Sequence, residues 1–319
     1  MGLSSAAVAA DGRLYLLDGK AFRVYVLDAQ GRELHRFGRK GEGPGDLSRP
    51  YRLALDAQGK VWVTEVMNRA SVFGPEGQFL EVMKVGVNKT GFFSMIRYAG
   101  PGLFWGLESQ GDESRVQKLI NHEGRVQELA LFTEPPQRVG EGDSVFYYSN
   151  SAYSPYHHFD HQKGVSAMAL STGYEIRLVD EQGKPLRTIR RGVEATAFTP
   201  QERVYLEAEV EKIKDWPHKI LSQFKKQIPE KRCFIESLRL SPGKLWVFRT
   251  PSDVTREEDL PVVVDLFRTE DGAFLGTWTL PGIPLLITDT HIYLKDDDEE
   301  DVPVLKICRY TLPESGKRG

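Results

Sequence analysis

The chain has 319 residues, with 42 Lys and Arg against 45 Asp and Glu, a formal net charge of −3, 40% hydrophobic and 27% charged residues. That is the composition of a soluble globular protein, and its mixed charge argues against nucleic-acid recognition driven by a basic surface. No apolar run reaches the roughly 18–20 residues that cross a bilayer as a helix.

In chain order, the dominant signal is a Gly-ended turn that recurs: Asp28-Ala29-Gln30-Gly31, Gly74-Pro75-Glu76-Gly77, Asn121-His122-Glu123-Gly124, Asp180-Glu181-Gln182-Gly183 and Thr269-Glu270-Asp271-Gly272. The Gly-to-Gly spacings are 46, 47, 59 and 89. A second series, Asp11-Gly12, Gln58-Gly59, Pro101-Gly102, Lys163-Gly164 and Pro242-Gly243, runs out of phase with the first. Each turn is followed by a short β-prone run, and a four-strand repeat of about 40–50 residues is the sequence mark of a propeller blade. The expected fold is therefore all-β: a six-bladed β-propeller of four-stranded antiparallel blades, one domain over 1–319.

Blade 1 spans 3–37 and blade 2 spans 51–85, where Val61-Trp62-Val63 repeats Leu14-Tyr15-Leu16. Blade 3 spans 92–132, and a long connection runs from Thr133 to Asp160. Blade 4 resumes at Val165, and blade 5 at Phe234 after an insertion. Blade 6, from Leu285 to Tyr310, has three strands, so it is one short. Met1–Ala10 carries no basic segment followed by an apolar core, hence no secretory signal; either blade 6 is three-stranded or, the favoured expectation, residues upstream of Met1 supply its fourth strand. The insertion, 199–228, is the one helical region. Thr199-Pro200-Gln201-Glu202 has the form of a capping box with Pro at the first helical position. Trp216-Pro217 should end that helix, and Ile220, Leu221 and Phe224 mark a second.

Four segments are candidates for chemistry. Gly38–Gly45 is Gly-rich but precedes a strand, so no helix N-terminus is offered to a phosphate; Arg39 and Arg49 are expected on one propeller face. Phe146–His161 holds six aromatics and three His in sixteen residues, and long connections in compact domains are often functional. Tyr147, Tyr148, Tyr153, Tyr156, His157 and His158, with Arg39 and Arg49, form the expected ligand site for a small molecule, glycan or protein. His157, Asp160 and His161 could alternatively hold a metal, Zn²⁺ or Ca²⁺. If extended, the segment puts His157, Phe159 and His161 on one face, with His158 and Asp160 on the other; His291, Glu236 or Asp289 would have to complete such a site. The run Asp296–Asp301 reads as a solvated hairpin tip rather than a calcium loop. Cys233 and Cys308 read as packed thiols, without a disulfide framework or metal-type spacing.

Phe37-Gly38-Arg39-Lys40-Gly41-Glu42-Gly43-Pro44-Gly45-Asp46-Leu47-Ser48-Arg49-Pro50, followed by Gly59–Glu65 and Asn68-Arg69-Ala70-Ser71-Val72-Phe73, resembles the NHL-repeat propellers, with Glu65 where that repeat usually has Asp. Over nearly all of 1–312 the chain is similar to a bacterial group of six-bladed β-propeller proteins. The shared features are the Gly-x-Gly-Pro-Gly connection, the Tyr174-Glu175-Ile176-Arg177 strand and an Ile189-Arg190-Arg191 strand end before a helical insertion. The resemblance implies an extracytoplasmic protein and no particular chemistry. A non-catalytic propeller that binds through loops on one face of its channel is the first expectation. A metal-dependent lyase or lactonase with its metal in the channel, by analogy of fold, is the second.

Overall fold

Each Gly-ended turn closes by a local rule. Asp28 Oδ1 accepts from the backbone N–H groups of Gln30 and Arg32, both at 2.9 Å, and Gly31 follows at φ 81°, a left-handed conformation that costs a residue without Cβ little. Asp180 repeats this with Gln182 at 2.9 Å and Lys184 at 2.8 Å, and Gly183 sits at φ 77°. Such turns reverse the chain within a few residues and set the pairing of the strands they join.

The computed structural model describes residues 2–66, 68–85, 93–100, 103–110, 114–121, 126–127, 133–134, 138–141, 144–147, 153–214, 216–251, 253, 261–297 and 303–311. The first sheet is β1 (Leu3–Val8), β2 (Leu14–Asp18), β3 (Arg23–Leu27) and β4 (Glu33–Phe37), in that order. The second is β5 (Pro50–Leu55), β6 (Val61–Glu65), β7 (Arg69–Phe73) and β8 (Phe79–Lys84). The third holds β9 (Phe93–Gly100), β10 (Leu103–Gln110), β11 (Ser114–Asn121) and β12 (Val126–Gln127), with β13 (Thr133–Glu134) also on β11. A hairpin, β14 (Arg138–Glu141) and β15 (Ser144–Tyr147), follows. The fourth sheet is β16 (His157–Gln162), β17 (Val165–Leu170), β18 (Glu175–Asp180) and β19 (Pro185–Arg190). After two helices comes the fifth: β20 (Ile235–Ser241), β21 (Lys244–Arg249), β22 (Val262–Arg268) and β23 (Phe274–Leu280). A three-stranded sheet of β24 (Leu286–Ile287), β25 (His291–Asp297) and β26 (Pro303–Arg309) ends the described chain.

These small antiparallel sheets form a mainly-β propeller. The first strands are mutual neighbours: β1 lies against β5, β5 against β9, β16 against β20, β20 against β24, and β24 against β1. They are therefore the inner strands. Apolar side chains between successive sheets form the core, such as Tyr15, Leu17, Val61, Val63 and Phe73 between the first two and Ala167, Ile176, Leu245 and Val247 between the fourth and fifth. Outer strands such as β4 and β19 are mostly exposed.

The capping box forms as its sequence requires. α1 (Pro200–Glu211) starts with Thr199 Oγ1 accepting from Glu202 N at 3.2 Å, while Glu202 Oε2 accepts from Thr199 N at 2.8 Å. α2 (His218–Gln227) begins just after Pro217 and buries Ile220, Leu221 and Phe224 against Val139 of β14. The connection expected over Thr133–Asp160 is partly structured: it contains the β14–β15 hairpin, and the next inner strand begins at His157. Inner strands face a polar channel, so His157-His158-Phe159-Asp160 lacks the apolar density that marks other strands. Among the described residues no helix is long and apolar enough to cross a membrane.

Candidate ligand site in the central channel

Alternation along β16 sends its side chains to two neighbouring sheets. Phe159 lies 5.7 Å from the Trp105 ring. His161 Nδ1 is 3.0 Å from Ser166 Oγ, which accepts from Trp105 Nε1 at 3.0 Å. Burial pushes His161 down to about 4. On the other face, Asp160 Oδ2 accepts from Leu240 N of β20 at 2.6 Å. His158 is pushed down to about 3, first by burial and then by the charge of Arg97, against a hydrogen bond with the Ile235 backbone.

Above this strand the inner strands enclose a cavity of about 300 Å³. Arg52 enters it from β5, Arg97 from β9, His158 and Phe159 from β16, and Glu236, Ser237 and Arg239 from β20. Tyr156, just before β16, completes the wall with Leu238. Arg52 and Arg239 come from sheets that are not neighbours in the ring, so the cavity lies in the channel between them. Its polarity follows from the same alternation: Ile96 and Tyr98 flank Arg97, and Leu238 and Leu240 flank Arg239, all four buried. The apolar neighbours anchor the strand, and the arginine is left to face the channel.

The three guanidiniums crowd one another. Burial, then Arg52, lowers Arg97 to about 10. Burial lowers Arg239 to about 10, and there too the Arg52 charge is the next contribution. Both Arg97 and Arg239 remain cationic at neutral pH. Asp160 is a carboxylate near all three: burial raises its pKa, and the charges of Arg239, Arg52 and Arg97 oppose that rise. Arg97 Nη1 donates to Phe159 O at 2.7 Å, with its guanidinium 5.8 Å from the Phe159 ring centre. Arg239 donates through Nε to Pro284 O at 2.8 Å and through Nη1 to Ser237 Oγ at 2.8 Å and Leu238 O at 2.7 Å. The Arg52 side chain has no hydrogen-bond or ion-pair partner among the described residues.

Of the expected site residues, the structure brings Tyr156 and His158 into the cavity. His157 is buried and paired in register with Leu170. Tyr153 packs with Leu206 and Ile228 under the helical insertion. Tyr147 ends β15, and its side chain, like all of Tyr148, lies outside the described residues. Arg39 is exposed and pairs with Asp46 at 2.6 Å; Arg49 is exposed in the same connection. His161 is committed to Ser166 and Asp160 to Leu240 N, while His291 Nδ1 lies 2.8 Å from Thr290 Oγ1. Among the described residues no three His, Cys, Asp or Glu side chains are grouped to hold a metal. Most of Asp296–Asp301 lies outside the described residues, and both cysteines are free thiols. Sequence reasoning missed Arg52, Arg97 and Arg239. The signal was present: each is an arginine between two apolar or aromatic residues in the first strand of a repeat.

No protein-family model matches the chain. No curated protein matches it either. Solved structures do match over nearly its whole length. A member of the DUF4221 family from Bacteroides vulgatus aligns at a TM-score of 0.58 and 10% identity, covering 97% of this chain and 94% of that one. A candidate exported protein from Bacteroides fragilis aligns at 0.57 and 10% identity, covering 98% and 91%. Virginiamycin B lyase from Staphylococcus aureus aligns more loosely, at 0.45 and 13% identity, covering 96% and 94%. At such identities the first two share the propeller fold with this chain, and the fold does not carry a function.

Proposed function

We propose that this chain is a non-catalytic, six-bladed binding propeller that takes a small ligand into its central channel. The sixth blade of this reading is the three-stranded sheet, and the contacts of β24 with both β20 and β1 support it. One observation carries the functional part: charged and aromatic side chains from four inner strands, distant in sequence, converge on one cavity of about 300 Å³. Convergence of a few polar groups on an otherwise walled cavity is the usual form of a small-molecule site. Among the described residues the half-buried Arg52 side chain has no hydrogen-bond or ion-pair partner, so its donors are open to a ligand.

The helical insertion shares the ring end at which the ligand would arrive. It leads directly into β20 and packs on Tyr153, a few residues before Tyr156 and β16. The binding face is thus the end carrying the sheet-to-sheet connections.

The test is a thermal-shift screen with a chemically mixed small-molecule library on the wild type and on Ser237→Trp, which fills the cavity. Compounds that stabilise the wild type should lose their effect on Ser237→Trp, and should be recovered unchanged by mass spectrometry. Stabilisation that survives the block would remove the channel from the account. Turnover of a hit would replace the binding function with an enzymatic one.

A further inference from the structure

We infer that the channel ligand is a small monoanionic organic acid, its carboxylate held among Arg52, Arg97 and Arg239 and its body against Tyr156 and Phe159. This deepens the function proposed above and rests on it.

The sign of the charge comes from the inventory. Among the described residues three arginines and one carboxylate, Glu236, line the cavity, and the Asp160 carboxylate lies close enough to feel all three arginines. The described lining is net positive, which an anionic ligand offsets. The spare donors agree. A guanidinium carries five N–H groups; Arg52 uses none within the described chain, and Arg97 uses Nη1 alone. Arg239 spends Nε and Nη1 on Pro284, Ser237 and Leu238, which fixes its plane and leaves Nη2. A planar fork matches a carboxylate through two parallel bonds. Crowding gives a reason for the anion too: the three cations raise one another's energy, and a bound carboxylate relieves all three at once.

The body follows from size and walls. A cavity of about 300 Å³ is at the small end of ligand pockets. Tyr156, Phe159 and Leu238 are among its lining residues, so a flat or compact apolar body fits beside the acid.

Isothermal titration with benzoate, benzamide and phenyl phosphate separates these elements on one ring. Benzoate should bind, and benzamide should bind at least about tenfold more weakly, because a charged hydrogen bond is lost. Arg52→Gln should weaken benzoate by about tenfold or more and leave benzamide unchanged; Arg52→Lys, which keeps charge but not the fork, should fall between. Arg39→Gln, outside the cavity, should match the wild type. The wild-type benzoate-to-benzamide ratio stands even if an Arg52 variant fails to fold. Equal binding of benzoate and benzamide overturns the anion site while leaving the channel as a ligand site. Phenyl phosphate binding far more tightly than benzoate overturns the monoanion assignment. Binding by none of the three overturns the inference, and the Ser237→Trp screen then decides the channel function separately.

Discussion

Replacing Asp265 by Asn should cost the propeller about 3–5 kcal/mol. Asp265 is wholly buried in β22. Its Oδ2 accepts from Tyr174 Oη at 2.6 Å and Arg249 Nε at 2.8 Å. Its Oδ1 accepts from Arg249 Nη2 at 3.0 Å and Thr277 Oγ1 at 2.6 Å, with Arg191 Nη1 at 2.5 Å. Tyr174 and Arg191 belong to the fourth blade's segment, and Arg249 and Thr277 to the fifth, so one carboxylate ties two blades. Burial alone would raise its pKa, but the hydrogen bonds from Arg249, Thr277, Tyr174 and Arg191 outweigh that and hold it low. Asn turns one acceptor oxygen into a donor, so at least two donors lose their partner whichever way the amide is placed. Unfolding entropy of roughly 2.1 cal/mol/K per residue over 319 residues converts the loss to a fall in Tm of about 4–8 °C. Calorimetry with urea denaturation reads both quantities. Asp11→Asn is the control: its pair with Arg13 is half exposed, so its loss should stay within about 1 kcal/mol. A loss at Asp265 no larger than at Asp11 would refute the reasoning.

Thr199→Ala removes one half of the capping box and should cost about 1 kcal/mol, read as easier hydrogen exchange in α1 with the sheets unchanged. Ser166→Ala leaves the buried Trp105 Nε1 without an acceptor and His161 Nδ1 without its hydroxyl partner, for a loss of about 2 kcal/mol; an unchanged urea midpoint would contradict that geometry. His158 and His161 have folded pKa values of about 3 and about 4 against an ordinary value of 6.5. The unfolded chain therefore binds more protons between those limits, so stability is full above pH 6.5 and falls as pH drops toward 4. Replacing both by Asn should flatten that part of a stability–pH profile; an unaltered slope would place the effect elsewhere.

The blades were legible because their signals are local. Asp28 and Asp180 cap their turns within four residues, and Thr199 with Glu202 announces α1 in the same way. The alternation expected at His157–His161 also holds, since Phe159 faces Trp105 while Asp160 faces Leu240. The start of β16 was obscured because channel-facing strands are polar. The arginines carry a local signal, but their grouping does not. Arg52, Arg97 and Arg239 are spread across three repeats, and only closure of the ring makes them neighbours. Tyr153 sits in the aromatic-rich segment Phe146–His161 and packs with Leu206 and Ile228 under the helical insertion, a burial that depends on a helix much later in the chain and is not visible locally.

The most direct measurement is a crystal structure with 4-bromobenzoate, using bromine anomalous scattering to place the ligand. The account predicts a bromine peak in the cavity beside Tyr156 and Phe159, with the carboxylate between Arg52, Arg97 and Arg239. A bromine peak only outside the channel, with the arginines unchanged, would contradict it.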